Sequence, residues 1–195
     1  MTISLRPFVF ASGVPRERDD RRDRELLAGL VSGRPEALAE LYDRHAASLF
    51  RHALALTRRR PEAEDLVQTV FVKLSAIGTG LLGVRQPAGY LHRMLHTTWM
   101  DARRRVITGE RVVEQVTADG EWARPAFEAS IDIARALGEL PEEQREVVVL
   151  HVVEGFSFRE VGRLTGVSLF TAAGRYRLAV QRLRKLLGGR EQAPK

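Results

Sequence analysis

The 195-residue sequence contains no cysteine, which excludes disulfide staples and thiolate metal sites and suits a reducing compartment. It also lacks any long apolar run. The apolar residues at positions 8–11 are too few for a signal-peptide core or a membrane span, so a soluble, cytoplasmic chain without membrane insertion is expected. Strand-type alternation and internal repeats are missing too, leaving an all-α reading. Catalytic signatures are equally scarce. The glycines at 78, 80 and 83 lack the Lys-Ser/Thr ending of a phosphate loop, and no nucleophilic serine elbow is present. His92 and His96 have the spacing of a zinc-peptidase pair, but Arg93 stands where the glutamate would be and no third ligand is evident. No metal, no cofactor and no enzymatic activity are therefore expected.

What is present is charge. The formal net charge is +6, which favours a polyanionic partner. Its distribution is uneven: the net is +6 over residues 1–105, −3 over 106–129 and +3 over 130–195. Two basic blocks thus flank an acidic connector.

Residues 1–22 crowd opposite charges together with nothing to bury and read as a flexible lead-in. From Asp23, Leu26, Leu27, Leu30 and Val31 recur at helical spacing until Gly33 and Pro35. Pro35 opens a long helix whose core side carries Leu38, Leu41, Tyr42, His45, Leu49, Phe50, Ala53 and Leu56. Pro61 starts the next, with Glu62, Glu64 and Asp65 at the end where the helix dipole favours acids. In its DLVQTVFVKL segment Leu66, Val70 and Leu74 face inward, leaving Asp65, Gln68, Thr69 and Lys73 as a polar face that periodicity alone makes merely solvated. Residues 76–89 read as a glycine-rich loop.

Residues 90–105 resume as a helix, with Leu91, Met94, Leu95 and Met100 inward and His92, Arg93, His96, Thr97, Arg103, Arg104 and Arg105 outward. Cations interleaved with Tyr90 and Trp99 suit single-stranded nucleic acid, because bases stack on rings while phosphates meet arginines; core packing is the alternative for the two rings. Residues 106–129 read as a linker that lets two domains move independently. Helices return at 130: Ile133, Ala136, Leu137 and Leu140 form an apolar edge, and Val147, Val148, Leu150 and Val152 form the core of the next helix.

Residues 157–187 form the most informative stretch. Ser157 and Glu160 have capping-box spacing, Gly166 can turn left-handed, and Ser168 can cap a second helix in which Ala172, Tyr176, Ala179 and Leu183 share a side. Between 169 and 187 there is no acid, only Arg175, Arg177, Arg182, Arg184 and Lys185. An all-cationic second helix after a tight turn suits a major groove; a solvated face on an ordinary bundle is the alternative.

The order of these parts is specific. AEDLVQTVFVKL, YLHRMLHTTWMDARRR, a linker, and LGELPEEQREVVVLHVVEGFSFREVGRLTGVS resemble, over about residues 23–105 and 130–187, the extracytoplasmic-function (ECF) group of bacterial sigma-70 family factors. The resemblance implies two small helical domains joined by a flexible linker, the second a helix-turn-helix, and a factor that binds core RNA polymerase and promoter DNA. It assigns residues 23–105 to region 2 and 130–187 to region 4, with 188–195 a tail. It places Asp65, Gln68 and Thr69 against polymerase. It places the loop at residues 79–86 and His92, Arg93, His96, Thr97, Arg103 and Arg104 at the minus-ten element. Ser168, Leu169, Phe170, Thr171, Ala173, Gly174, Arg175 and Arg177 fall at the minus-thirty-five element. Members of the family are often held by an anti-sigma factor. His96-Thr97 replaces the usual Arg-Asn, and Phe170 to Arg175 depart from the usual Gly-Thr-Val-Lys-Ser-Arg run, so promoter sequence cannot be borrowed from other members. A stand-alone helix-turn-helix regulator is the competing reading, although such proteins ordinarily need a dimer symmetry not evident here.

Overall fold

Proline opens the long helices of the first domain, because its fixed φ suits a first turn and its missing N–H costs nothing there. The computed structural model describes residues 16–107 and 131–188. Helix α1 (Arg16–Val31) turns at Gly33, whose φ is +76°, into α2 (Pro35–Thr57). Then come α3 (Arg60–Ala76), a short 3-10 turn (Gly78–Gly83) and α4 (Pro87–Ile107). The second domain consists of α5 (Ile131–Gly138), α6 (Glu142–Val148) running into a π-turn (Val149–Val153), α7 (Phe158–Thr165) and α8 (Leu169–Gly188). Among the described residues there is no strand, and no helix is long and apolar enough to cross a membrane.

The first core gathers Leu27, Leu41, Leu49, Leu54, Val70, Leu74, Leu91 and Leu95, all but removed from solvent. Each such leucine contributes about 1.5–3 kcal/mol relative to exposure, which dominates every surface pair in the domain. The second core is smaller: Val147, Leu150, Phe156, Val161, Leu164 and Ala172, beside a patch of Leu137, Leu140, Val148 and Ala179.

Four features differ from the sequence expectations. Helix α1 begins at Arg16, inside the stretch read as a lead-in; residues 1–15 lie outside the described part of the chain. The crowded charges have structural work there. Arg22 forks onto Glu40 at 2.8 and 2.7 Å, and buried Asp23 accepts from Arg44 at 2.7 Å and meets His45 at 2.8 Å. Burial alone would raise the Asp23 carboxyl, but the hydrogen bonds and charges of His45 and Arg44 hold it below the usual carboxylate range. The expected loop at 76–89 instead coils so that Leu81 plugs the core, 1% exposed. The π-turn widens the end of α6, putting Val152 outward rather than in the core, while His151 stacks on Phe158 at 4.0 Å. Ile133 is exposed, whereas Ala136, Leu137 and Leu140 are buried as expected. The expected linker, 106–129, lies outside the described residues except for the last turn of α4.

The helix-turn-helix forms as its caps dictate. The Ser157 hydroxyl accepts from the Glu160 N–H, the Glu160 carboxylate accepts from the Ser157 N–H at 2.8 Å, and Gly166 is left-handed at φ +73°. Gly162 is the position periodicity does not reveal: a Cβ there would stand 2.7 Å from the Val167 carbonyl oxygen, so only glycine lets the turn close on α7. Gly174 in α8 has open space instead. The two glycines therefore predict opposite signs. Gly162→Ala should destabilise the chain by roughly 1–3 kcal/mol as the turn is forced apart, and Gly174→Ala should stabilise it by about 0.5–1 kcal/mol. Denaturant titration of each variant against the parent measures both, and equal effects of the two would refute the account.

Candidate nucleic-acid interface

Helix α4 has two usable stripes. Positions 93, 97 and 104 fall on one side, where Arg93, Thr97 and Arg104 are exposed and the Thr97 hydroxyl donates to the backbone at 3.1 and 3.0 Å. Positions 92, 96, 99 and 103 fall on the other, and that stripe is docked on the second domain, His92 against the Phe156 ring and the others on acids. His92 is 2% exposed and His96 is half-buried. The expectation that both point outward fails because Glu146 of α6 takes His96, while His92 is enclosed by Ser48, His52 and the Phe156 ring.

The contact is polar at its centre. Glu146 Oε1 meets His52 Nε2 at 2.9 Å and His96 Nδ1 at 2.7 Å. His52 Nδ1 lies 3.0 Å from His92 Nδ1, and His92 Nε2 lies 3.0 Å from the Ser48 hydroxyl. That hydroxyl also reaches Glu154, on which Arg51 forks at 2.6 and 3.1 Å. At the rim, Trp99 Nε1 and Arg103 donate to Glu142 at 3.2 and 3.0 Å. Trp99 is thus held by a carboxylate rather than standing free as a stacking platform. Arg145, 2% exposed, donates across the boundary to the Ala55 carbonyl and within its own domain to the Leu140 carbonyl.

These contacts set the charge states. Burial would raise Glu146, but the hydrogen bonds and charges of His52 and His96 pull it down to about 2. Burial would lower His96, yet Glu146, with help from Glu142, leaves it raised. Burial, with Arg58 nearby, pushes Arg145 down to about 10, still charged at neutral pH.

The surfaces left open lie elsewhere. On α3, Asp65 and Gln68 are exposed and Thr69 is half-buried, next to Val72, 69% exposed; Lys73 ties α3 to α4 through Thr98 at 3.0 Å. At the start of α8, the Ser168 hydroxyl accepts from the Thr171 N–H at 3.0 Å as the helix cap. Phe170 stands 82% exposed beside Leu169, Thr171 and Arg177 are exposed, and Ala173 and Gly174 are half-buried. Arg175 pairs with Glu143 at 2.8 Å. A cleft lined by Gly80, Gly83, Val84, Arg85, Gln86, Tyr90 and Arg163 joins the 3-10 turn to α7.

Comparison with known proteins accounts for this arrangement. The Sigma-70 region 2 family profile matches residues 41–106, and the Sigma-70 region 4 profile matches residues 130–183. The ECF RNA polymerase sigma factor SigM of Mycobacterium tuberculosis (strain ATCC 25618 / H37Rv) is 31% identical over 177 residues, covering 88% of this chain and 87% of that one. The chain belongs to the ECF group of the sigma-70 family.

RNA polymerase sigma factor CarQ of Myxococcus xanthus is 33% identical over 164 residues, covering 80% of this chain and 92% of its own. Among solved structures, CnrH in complex with the cytosolic domain of CnrY matches with TM-score 0.59 at 25% identity over 86% of this chain and 98% of that one. The sigma factor RpoE in complex with the anti-sigma factor NepR from Bartonella quintana matches with TM-score 0.58 at 25% identity over 76% and 97%. A sigma factor is a non-catalytic initiation factor: it binds core RNA polymerase and directs promoter recognition and transcription initiation. A stand-alone helix-turn-helix regulator would have no region 2.

In this sigma factor, sequence reasoning missed Ser48, Arg51, His52, Glu142, Arg145, Glu146 and Glu154 as a group. One signal was available: two of the five histidines meet an acid across the domain boundary, and LPEEQREV, quoted as a family marker, supplies Glu142, Arg145 and Glu146 to it. Arg145→Ala should cost the fold about 2–4 kcal/mol, because two buried carbonyls lose their donor. A urea-unfolding midpoint matching that of the parent would refute this.

Proposed function

We propose that the first domain, residues 23–105, holds core polymerase and the minus-ten element while the second, 130–187, reads the minus-thirty-five element as duplex. Residues 106–129 tether them, and 1–22 and 188–195 lie outside both. The observation that carries the reading is the start of α8: a capped helix end that presents Phe170, Thr171 and Arg177 to solvent on a helix bearing no acid. Ser168, Leu169, Ala173, Gly174 and Arg175 complete the proposed surface, Arg175 after exchanging Glu143 for a phosphate.

Polymerase is met by the α3 ridge of Asp65, Gln68 and Thr69, whose first two side chains stand free of the core. The minus-ten strand is met by α4. Arg93, Thr97 and Arg104 face solvent now and Arg103 at the rim can exchange Glu142 for a phosphate, whereas His92 and His96 reach DNA only once the second domain leaves α4. Strand opening costs a few kcal/mol per unstacked base, which stacking and polymerase contacts offset. The site of action is the cytoplasm, where polymerase is. An anti-sigma factor is a further partner, a reading supported by the complexes in which the similar CnrH and RpoE structures were solved.

Run-off transcription with core enzyme and a genomic fragment library tests the whole: specific transcripts that need this chain are expected, and none would refute it. Asp65→Ala with Gln68→Ala should weaken co-purification with core polymerase by roughly tenfold while leaving the melting temperature within a few degrees. Arg177→Ala should lower the slope of log affinity against log salt for duplex promoter DNA by about one. An unchanged slope would remove Arg177 from the interface.

A further inference from the structure

The buried contacts between the domains can be counted in protons. Four contacts run in series: Glu154 to Ser48, Ser48 to His92, His92 to His52, and His52 to Glu146. Each needs one proton between its two heavy atoms. The Ser48 hydroxyl brings one, and neutral His92 and His52 bring one each; the two carboxylates bring none. Three protons for four contacts would leave two lone pairs facing each other in a buried site, a costly arrangement. The series closes only when one more proton is bound, wherever along it that proton resides.

We propose that docking of the second domain on α4 takes up a proton, making the closed arrangement of this sigma factor a proton-dependent latch over its own α4. The N···O distances of 2.7 and 2.9 Å at Glu146 fit proton bridges; two ligands of a tetrahedral metal, each about 2 Å from the ion, would stand farther apart. The surrounding charges agree with the count. Arg51 balances Glu154 from α2, leaving Glu146 to the extra proton and to His96. Glu142 and Arg145 face the cluster from α6, and Arg103 and Trp99 from α4. Arg58, just past the end of α2, lies near Arg145, and Arg175 of α8 opposes protonation of His96. Phe156 sets its ring edge on His92, and α7 offers Leu164 toward Gly89 and Arg163 to the cleft beside Tyr90.

The sign follows from linkage. The closed state binds more protons than the open one, so closure is favoured as pH falls and weakens as pH rises. The raised His96 adds in the same direction. Glu146 works oppositely at the acid end: its contribution is present above its ordinary 4.5 and fades as pH falls toward about 2. The latch is therefore firmest between about pH 4.5 and 6.5 and loosens through neutrality.

Because the chain has no native cysteine, Ser75→Cys on α3 and Arg182→Cys on α8, both exposed positions, can carry a donor and an acceptor dye on the full chain. Energy transfer from pH 8 to 6.5 at constant ionic strength then reads the closed-to-open ratio. The ratio should rise about tenfold or more per pH unit lowered, the slope expected for at least one proton. Ser48→Ala removes two contacts and leaves two protons for the remaining two. Glu154→Gln supplies the missing proton from its amide. Each should remove about one power of ten per pH unit from the slope. Two small changes at different residues keep the test open if one variant folds poorly. A flat ratio in the parent, or a parental slope in the variant that folds, overturns the proposal. The readout needs neither polymerase nor DNA, so its failure is separate from failure of the promoter assignments.

Discussion

A carboxylate with no access to water holds the arrangement of this sigma factor together. Glu146 is charged and buried, a state that costs several kcal/mol unless cations or donors meet it closely. Its partners, His52 and His96, belong to the other domain. In a lone second domain Glu146 would be solvated; in the closed molecule it is satisfied only from across the boundary. The closed state is thus all-or-none at this point: a small retreat of α6 from α4 would leave Glu146 buried without either of its imidazole partners. Apolar domain faces would instead stay together under most conditions. An ionic seam of this kind is suited to reversal, because water can replace each of its contacts.

Local chemistry made much of the fold legible. The capping box at Ser157 and Glu160, the left-handed Gly166, the Ser168 cap and the buried positions Ala172 and Ala179 all follow from rules acting over a few residues. What stayed hidden depends on partners far away in sequence. Helix α1 extends back to Arg16 and its Asp23 is paid for by Arg44 and His45 of the next helix. Leu81 orders a glycine-rich stretch because a core formed elsewhere receives it. The π-turn redirects Val152 through one wide turn that no periodic template contains.

The candidate site divides the same way. Asp65 and Gln68 stand outward on α3 as the helical period requires, and so do Arg93, Thr97 and Arg104 on α4. His92 and His96 do not, although their period is just as regular. Helical spacing tells which residues share a stripe, not whether that stripe meets water, lipid or another domain. A stripe of two histidines, a tryptophan and an arginine at 92, 96, 99 and 103 is amphipathic enough for nucleic acid or for an acidic protein face. Only the acids at 142 and 146, some forty to fifty positions on, decide which of these it meets in this structure.

The same comparison bears on how the second domain and a nucleic acid would compete for α4. Arg103 holds Glu142, and Arg175 of α8 holds Glu143; a phosphate offers each guanidinium the same chemistry as the carboxylate it would displace. These are partly exposed pairs, worth at most about 1 kcal/mol each and screened by salt, so exchange at the rim is close to neutral. The buried series through His52 and His92 is different in kind. Removing one partner from such a cluster costs about 3–5 kcal/mol, several times what a rim pair can return. Access to the docked stripe of α4 is therefore governed less by how strongly its arginines attract DNA than by the proton uptake and packing of a buried series that, in the closed molecule, DNA cannot touch.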